Sequence, residues 1–196
     1  MMALYHKIFL LKGEKYMATI TLVKKNLFDV PHGYCLAHCI SEDFRLGAGI
    51  AVEFNNRYNM RERLQTKFGT NGDYVGKALK IDNVYNLITK QKCFEKPTYQ
   101  SLQKALEDMA SQIKNDHIKN LAMPKIGAGL DKLKWTIVLS IIKEVFKDTN
   151  VNITICFLDD DPDFSESADE LSSYFEDEQP DGEDWTACDY EDDAEY

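Results

Sequence analysis

Residues 121–131 read Leu121-Ala122-Met123-Pro124-Lys125-Ile126-Gly127-Ala128-Gly129-Leu130-Asp131. Three apolar residues suit a short buried strand. Pro124 stops it, because proline has no N–H to give to a ladder. A glycine-bearing loop follows, and then Trp135, Val138, Leu139, Ile142, Val145 and Phe146 recur at helical spacing. Strand, small-residue loop and helix in that order form the repeating unit of an α/β sheet protein. The same unit occurs upstream. Cys35-Leu36-Ala37 with Ile40 reads as a buried strand, and Ser41-Glu42-Asp43-Phe44-Arg45-Leu46-Gly47-Ala48-Gly49 as the loop. Residues 47–58 read as a helix, with Ile50, Ala51, Phe54 and Tyr58 on one face.

The remaining pattern agrees. Residues 19–23, 75–81, 84–89 and the alternating Val151, Ile153, Ile155 and Phe157 read as strands, with a turn at Asn71-Gly72. Leu102, Ala105, Leu106, Met109 and Ile113 give a helix after Pro97 and the capping residue Thr98. The alternation predicts a mixed sheet with helices on both faces, and a site at the strand carboxyl ends beside the glycine loops. Small residues let backbone N–H groups approach phosphate oxygens, and a helix start adds a favourable dipole. Neither loop matches the dinucleotide fingerprint or the P-loop.

Charge separates the chain into parts. Of 196 residues, 33 are acidic and 23 basic. Residues 159–196 hold 18 of the acidic groups and none of the basic ones, which leaves +8 on residues 1–158. A basic body suits an anionic ligand. The acidic tail has too few apolar residues to offset chain entropy and is expected to be disordered. Residues 1–18 read as a poorly ordered extension, leaving residues 19–158 as the domain. The longest apolar run, Ile8-Phe9-Leu10-Leu11, is far short of the roughly 20 residues of a membrane span or the roughly 7–15 of a secretory signal core. Five cysteines at irregular spacing (35, 39, 93, 156, 188) argue for free thiols in a reducing compartment. Cys35, His38 and Cys39 make a poor zinc set, because a strand puts His38 on the opposite face. Neither a metal nor a cofactor is expected.

The run Leu36-Ala37-His38-Cys39-Ile40-Ser41-Glu42-Asp43, then Gly47-Ala48-Gly49-Ile50-Ala51-Val52, resembles the ADP-ribose site of the macrodomain family. So do Leu87-Ile88-Thr89-Lys90, Lys96-Pro97-Thr98-Tyr99 and residues 123–131. The likeness covers roughly residues 19–158. It is strongest to the branch that hydrolyses terminal ADP-ribose on proteins. The resemblance implies a three-layer α/β/α macrodomain with a mixed central sheet. In that branch a lysine in Leu-Ile-Thr-Lys is the nucleophile, which falls on Lys90. The aspartate closing Gly-x-Gly-Leu-Asp is the acid/base, which falls on Asp131. Lys125, Ile126, Gly127, Ala128, Gly129 and Leu130 would wrap the diphosphate and distal ribose, and Gly47 and Gly49 are implied ligand-binding positions as well. Leu27, Ser41 and Leu158 fall at further ligand contacts.

The implied reaction removes mono-ADP-ribose from acidic side chains and deacetylates O-acetyl-ADP-ribose. Implied partners are those ligands and mono- or poly-ADP-ribosylated proteins, not membranes or nucleic acids. The resemblance further implies a monomer of the nucleus and cytoplasm, in DNA damage responses and purine nucleoside metabolism. Two positions depart from the family. Many macrodomains carry Gly-Asp after the first strand, where this chain has Lys25-Asn26; the Asn26 oxygen can still accept one bond from adenine. Lys125 stands where close relatives can carry arginine and keeps the charge without the fork.

The chemistry suits these residue types. A ribose esterified to a carboxylate has an electrophilic anomeric carbon that an amine can attack. The amine must be neutral, whereas a free lysine is charged at neutral pH. Asp131 can take the proton and return it. Lys92 would also favour the neutral amine if the strand ran on to place it beside Lys90. The rival reading is an ADP-ribose reader without turnover.

Overall fold

A computed structural model describes residues 7–10, 18–70 and 72–158. The acidic tail and the rest of the N-terminal extension lie outside those residues, as does Asn71 of the expected turn. The described chain is built from β1 (Lys7–Leu10), β2 (Thr19–Lys24), a 3-10 turn (Leu27–Asp29), β3 (Cys35–Ser41), α1 (Ile50–Tyr58), α2 (Met60–Phe68), β4 (Ala78–Ile81), β5 (Val84–Lys90), α3 (Tyr99–Asn115), β6 (Asn120–Pro124), α4 (Trp135–Phe146) and β7 (Asn152–Phe157). The strands form one mixed sheet in the order β1-β2-β7-β6-β3-β5-β4. The five inner strands run parallel, while β1 and β4 close the edges antiparallel. Strand β1 lies inside the extension expected to lack order, where Lys7 pairs with Leu22 and Leu10 with Thr19.

Alternation along the inner strands separates two layers of core. Leu36 and Ile40 of β3 and Val84 and Ile88 of β5 join Phe54 of α1 and Met60 and Leu64 of α2 in one cluster. On the other face α3 presents Leu102, Ala105, Leu106, Met109 and Ile113, all at most 2% exposed. The α3 start is fixed by a capping box, in which Thr98 and Ser101 bond each other's backbone amides. Helix α4 ends where its apolar period ends. Helix α2 carries a more polar sequence and buries only Met60 and Leu64. It follows α1 through Asn59, whose φ of 48° breaks the two helices apart.

His38 is fully buried on β3, stacked on Phe54 with ring centroids 3.8 Å apart. Its Nε2 meets Asn86 Oδ1 at 2.8 Å, and Nδ1 has no hydrogen-bond partner among the described residues. Burial pulls its pKa down from 6.5 to about 4, against the pull of Asn86. A depressed folded value means the neutral ring stabilises the fold above the free value of 6.5, and that contribution is lost as pH falls toward 4. The gap corresponds to about 3 kcal/mol. Denaturant titrations from pH 7 to pH 4 are expected to show the wild type losing about that much more stability than His38→Gln. Parallel pH profiles for the two proteins would contradict this.

Candidate active site

Because β2, β7, β6, β3 and β5 are parallel, their carboxyl ends share one edge of the sheet. Every residue singled out for ligand or catalysis follows one of those ends. Asn26 and Leu27 follow β2, and Leu158 follows β7. Residues 125–131 follow β6, Ser41 and Gly47 to Gly49 close or follow β3, and Lys90 ends β5.

Lys90 and Asp131, 41 positions apart, meet there. Lys90 Nζ donates to Asp131 Oδ1 at 2.6 Å, with the two side chains only 15% and 16% exposed. A bulge helps to aim the lysine. Ile40 pairs with Ile88, but Ser41 pairs with Lys90, so Thr89 is an extra residue in β5. Its hydroxyl is buried with no hydrogen-bond partner among the described residues, and its carbonyl accepts from Ser101 Oγ at 2.6 Å. Asp131 is not the cap of the helix that follows, since α4 begins at Trp135 with Lys134 in the cap position. The expectation for Lys92 does not hold. Strand β5 ends at Lys90, and exposed Lys92 lies in a turn where its backbone N–H donates to Glu95 Oε2.

The two loops touch. Gly49 caps α1 with φ of 56° and no side-chain cap, so the first amides of that helix lack a side-chain acceptor. A Cβ on Gly49 would lie 3.3 Å from Leu130 Cδ1. Gly129 faces open space, and a Cβ on Gly47 would meet only the Arg45 carbonyl oxygen, at 3.9 Å. Gly127 has φ of 75°, and a Cβ there would lie 3.0 Å from Leu133 Cδ1. Its carbonyl accepts from Leu133 N at 2.9 Å, which turns the loop back on itself. Ile126 is buried, Ala128 half-buried and Leu130 exposed.

Four expected contacts have local duties that sequence did not reveal. Asn26 Oδ1 accepts from Phe28 N at 3.0 Å, capping the turn, and its second lone pair is what adenine would use. Leu27 is 4% exposed and belongs to the core, whereas Leu158 is 59% exposed. Lys125 is 8% exposed, with its ammonium over the Trp135 and Phe157 rings at 6.0 and 5.8 Å. Ser41 Oγ donates to Asp43 Oδ1 at 2.6 Å.

Asp43 is the residue whose role sequence reading missed. Its carboxylate also accepts from Arg45 N at 3.3 Å and Cys93 N at 3.1 Å, tying the first loop to the turn after β5. Burial acts to raise its pKa, but these hydrogen bonds outweigh it and hold the carboxyl below its ordinary value. The Ser-x-Asp spacing, typical of side chains that bond nearby backbone, was the available signal. The Cys39 thiol is pushed far up by burial and then by the Asp131 carboxylate, against the pull of Lys90 and the Gly127 amide. It is therefore a thiol and not a nucleophile. Among the described residues no cluster of His, Cys, Asp and Glu could hold a metal ion, and no helix is long and apolar enough to cross a membrane.

Residues 33–142 match the family model described as Macro domain. The chain belongs to the macro domain family. It is 45% identical over 138 residues to the human ADP-ribose glycohydrolase OARD1, covering 69% of this chain and 90% of that protein. The Bos taurus ADP-ribose glycohydrolase OARD1 is 44% identical over the same shares. Among solved structures, the macrodomain of Thermus aquaticus DarG superposes with a TM-score of 0.63 at 19% identity, covering 71% of this chain and 99% of that one. Thermosipho africanus DarTG in complex with ADP-ribose gives 0.61 at 18% identity, covering 76% of this chain and 43% of that one. At those identities the structural likenesses establish the macrodomain fold.

Proposed function

We propose that this macrodomain protein is a hydrolase that binds ADP-ribose and cleaves the bond between terminal ADP-ribose and a protein carboxylate. The carrying observation is the Lys90–Asp131 contact of 2.6 Å, at the strand edge where both glycine loops converge. The similarity to ADP-ribose glycohydrolases over most of their length supports the substrate class.

In the proposed reaction the ADP-ribose lies along the sheet edge, with its diphosphate over residues 125–130 and the bare start of α1. Asp131 accepts a proton from the Lys90 ammonium. The freed amine attacks the anomeric carbon. The carbon–oxygen bond to the protein breaks, and the carboxylate leaves with the electron pair. Asp131 gives its proton to the departing carboxylate and, ionised again, takes one from water, which displaces the Lys90 amine and releases ADP-ribose; that proton then returns to Lys90. Removal of the acetyl group from O-acetyl-ADP-ribose is a second proposed activity of the same site.

Incubating the protein with glutamate-linked mono-ADP-ribosylated protein, followed by mass analysis, tests this reading. The expected products are free ADP-ribose and an unmodified carboxylate, and calorimetry is expected to show one ADP-ribose site per chain. Binding with the ligand recovered still attached would instead identify a reader module.

A further inference from the structure

Four large apolar side chains stand exposed among the described residues: Phe94, Leu130, Ile137 and Leu158. Single exposed apolar residues need no explanation. Three of these four, however, follow the carboxyl ends of β5, β6 and β7, on the edge that carries Lys90 and Asp131. Phe94 is the most exposed, at 81%.

The turn that carries Phe94 is braced on several sides. Gln91 N and Lys92 N donate to Glu95 Oε2 at 3.1 and 2.9 Å, and Glu95 N donates to Lys92 O at 3.1 Å. Cys93 N donates to Asp43 Oδ2, and Lys96 Nζ donates to Leu130 O at 2.7 Å across the site. A phenyl ring in water on a fixed backbone can bind with little further loss of chain entropy.

Position assigns the occupant. Along the edge the order runs from β2, with Asn26, to β5, with Lys90. A nucleotide sugar laid along it, with its anomeric carbon at Lys90 and Asp131, leaves the protein it modifies on the β5 side. Phe94 lies four residues past Lys90, within about 14 Å of it by chain reach. Exposed Lys92 and Lys96 lie two residues either side of Phe94 in the chain, and exposed Lys132 follows Asp131. The carboxylates in that turn and beside it, Glu95, Asp43 and Asp131, already accept hydrogen bonds.

We propose that Phe94, with Lys92 and Lys96, binds the polypeptide around the modified carboxylate and favours flanks that pair acidic with apolar residues. This rests on the glycohydrolase reading and adds a second, peptide-reading part to that site. The test uses two synthetic peptides, each with one ADP-ribosylated glutamate. One has Glu and Leu flanks and the other Lys and Gly flanks. O-acetyl-ADP-ribose, which has no peptide, serves as the reference substrate. The wild type is expected to show a KM about fivefold lower for the Glu/Leu peptide. The Lys92→Glu/Phe94→Ser double variant is expected to lose that preference, with kcat for both peptides and turnover of O-acetyl-ADP-ribose unchanged. Equal KM values for the two peptides in the wild type would overturn the proposal, as would an equal loss on O-acetyl-ADP-ribose. Turnover of O-acetyl-ADP-ribose with peptide kinetics blind to the flanks sinks this inference alone. Absence of all cleavage sinks the hydrolase reading, and anisotropy binding of the same two peptides then decides the flank preference separately.

Discussion

Lys90→Ala is expected to reduce release of ADP-ribose from glutamate-modified protein by about a thousandfold or more, because it removes the atom that forms the covalent bond in the proposed reaction. The substitution leaves the sheet intact. Lys90 is the last residue of β5, its backbone contacts to the first loop do not involve the side chain, and its ammonium bonds Asp131 at the surface of the site. ADP-ribose is expected still to bind, since the loops that would hold the diphosphate are untouched. Single-turnover kinetics with calorimetry on the same sample checks both halves. Turnover within a few-fold of wild type would exclude a lysine nucleophile. Loss of binding and turnover together would make Lys90 a binding residue.

Gly127→Ala is expected to be the most damaging small substitution in the second loop. The backbone at 127 sits at φ of 75°, which costs an L-residue roughly 1–2 kcal/mol. The added methyl would also stand 3.0 Å from Leu133 Cδ1, which must give by a few tenths of an ångström, while Leu102 Cδ2 at 3.5 Å would be in ordinary contact. Together these are expected to lower stability by about 2–3 kcal/mol and to displace Asp131, four residues on, from Lys90. Gly129→Ala serves as the comparison, because no neighbour lies within 4 Å of a Cβ there and its φ is not in the left-handed region. Denaturant titration and turnover of both variants check this. Equal behaviour of the two would mean the corner at 127 relaxes freely.

What could be read in advance followed the strength of the apolar period. Helix α4 was legible to its ends, since six apolar residues keep one face over twelve positions. Helix α3 was legible because its apolar face is equally regular and Thr98 announces its start. Helix α2 was missed, because only two of its nine residues are buried and the rest are largely charged or polar. Strand β1 was missed for a different reason. Four residues are too few to show a period, and what fixes them is pairing with β2.

The candidate site divides in the same way. Lys90 and Asp131 could be named from their motifs, but their contact depends on two loops folded over one sheet edge. The bulge at Thr89, one residue before β5 ends at Lys90, arises from pairing with β3 and leaves no mark in the sequence. The bracing by Asp43 likewise depends on Cys93, fifty residues away. Lys125 could be read as a charge for phosphate, whereas its burial against two aromatic rings follows from how α4 and β7 pack.

The central claim is that Lys90 attacks and Asp131 completes the turnover, and intact-mass analysis of Asp131→Ala tests it most directly. After long incubation with glutamate-linked mono-ADP-ribosylated protein, in which the small neutral fraction of Lys90 attacks without Asp131 and nothing activates water against the adduct, the variant is expected to carry one added ADP-ribosyl group, located by peptide mapping on Lys90. Wild-type protein in the same experiment is expected to release ADP-ribose and carry none. An Asp131→Ala variant that releases ADP-ribose like wild type and never acquires the added mass would contradict the account.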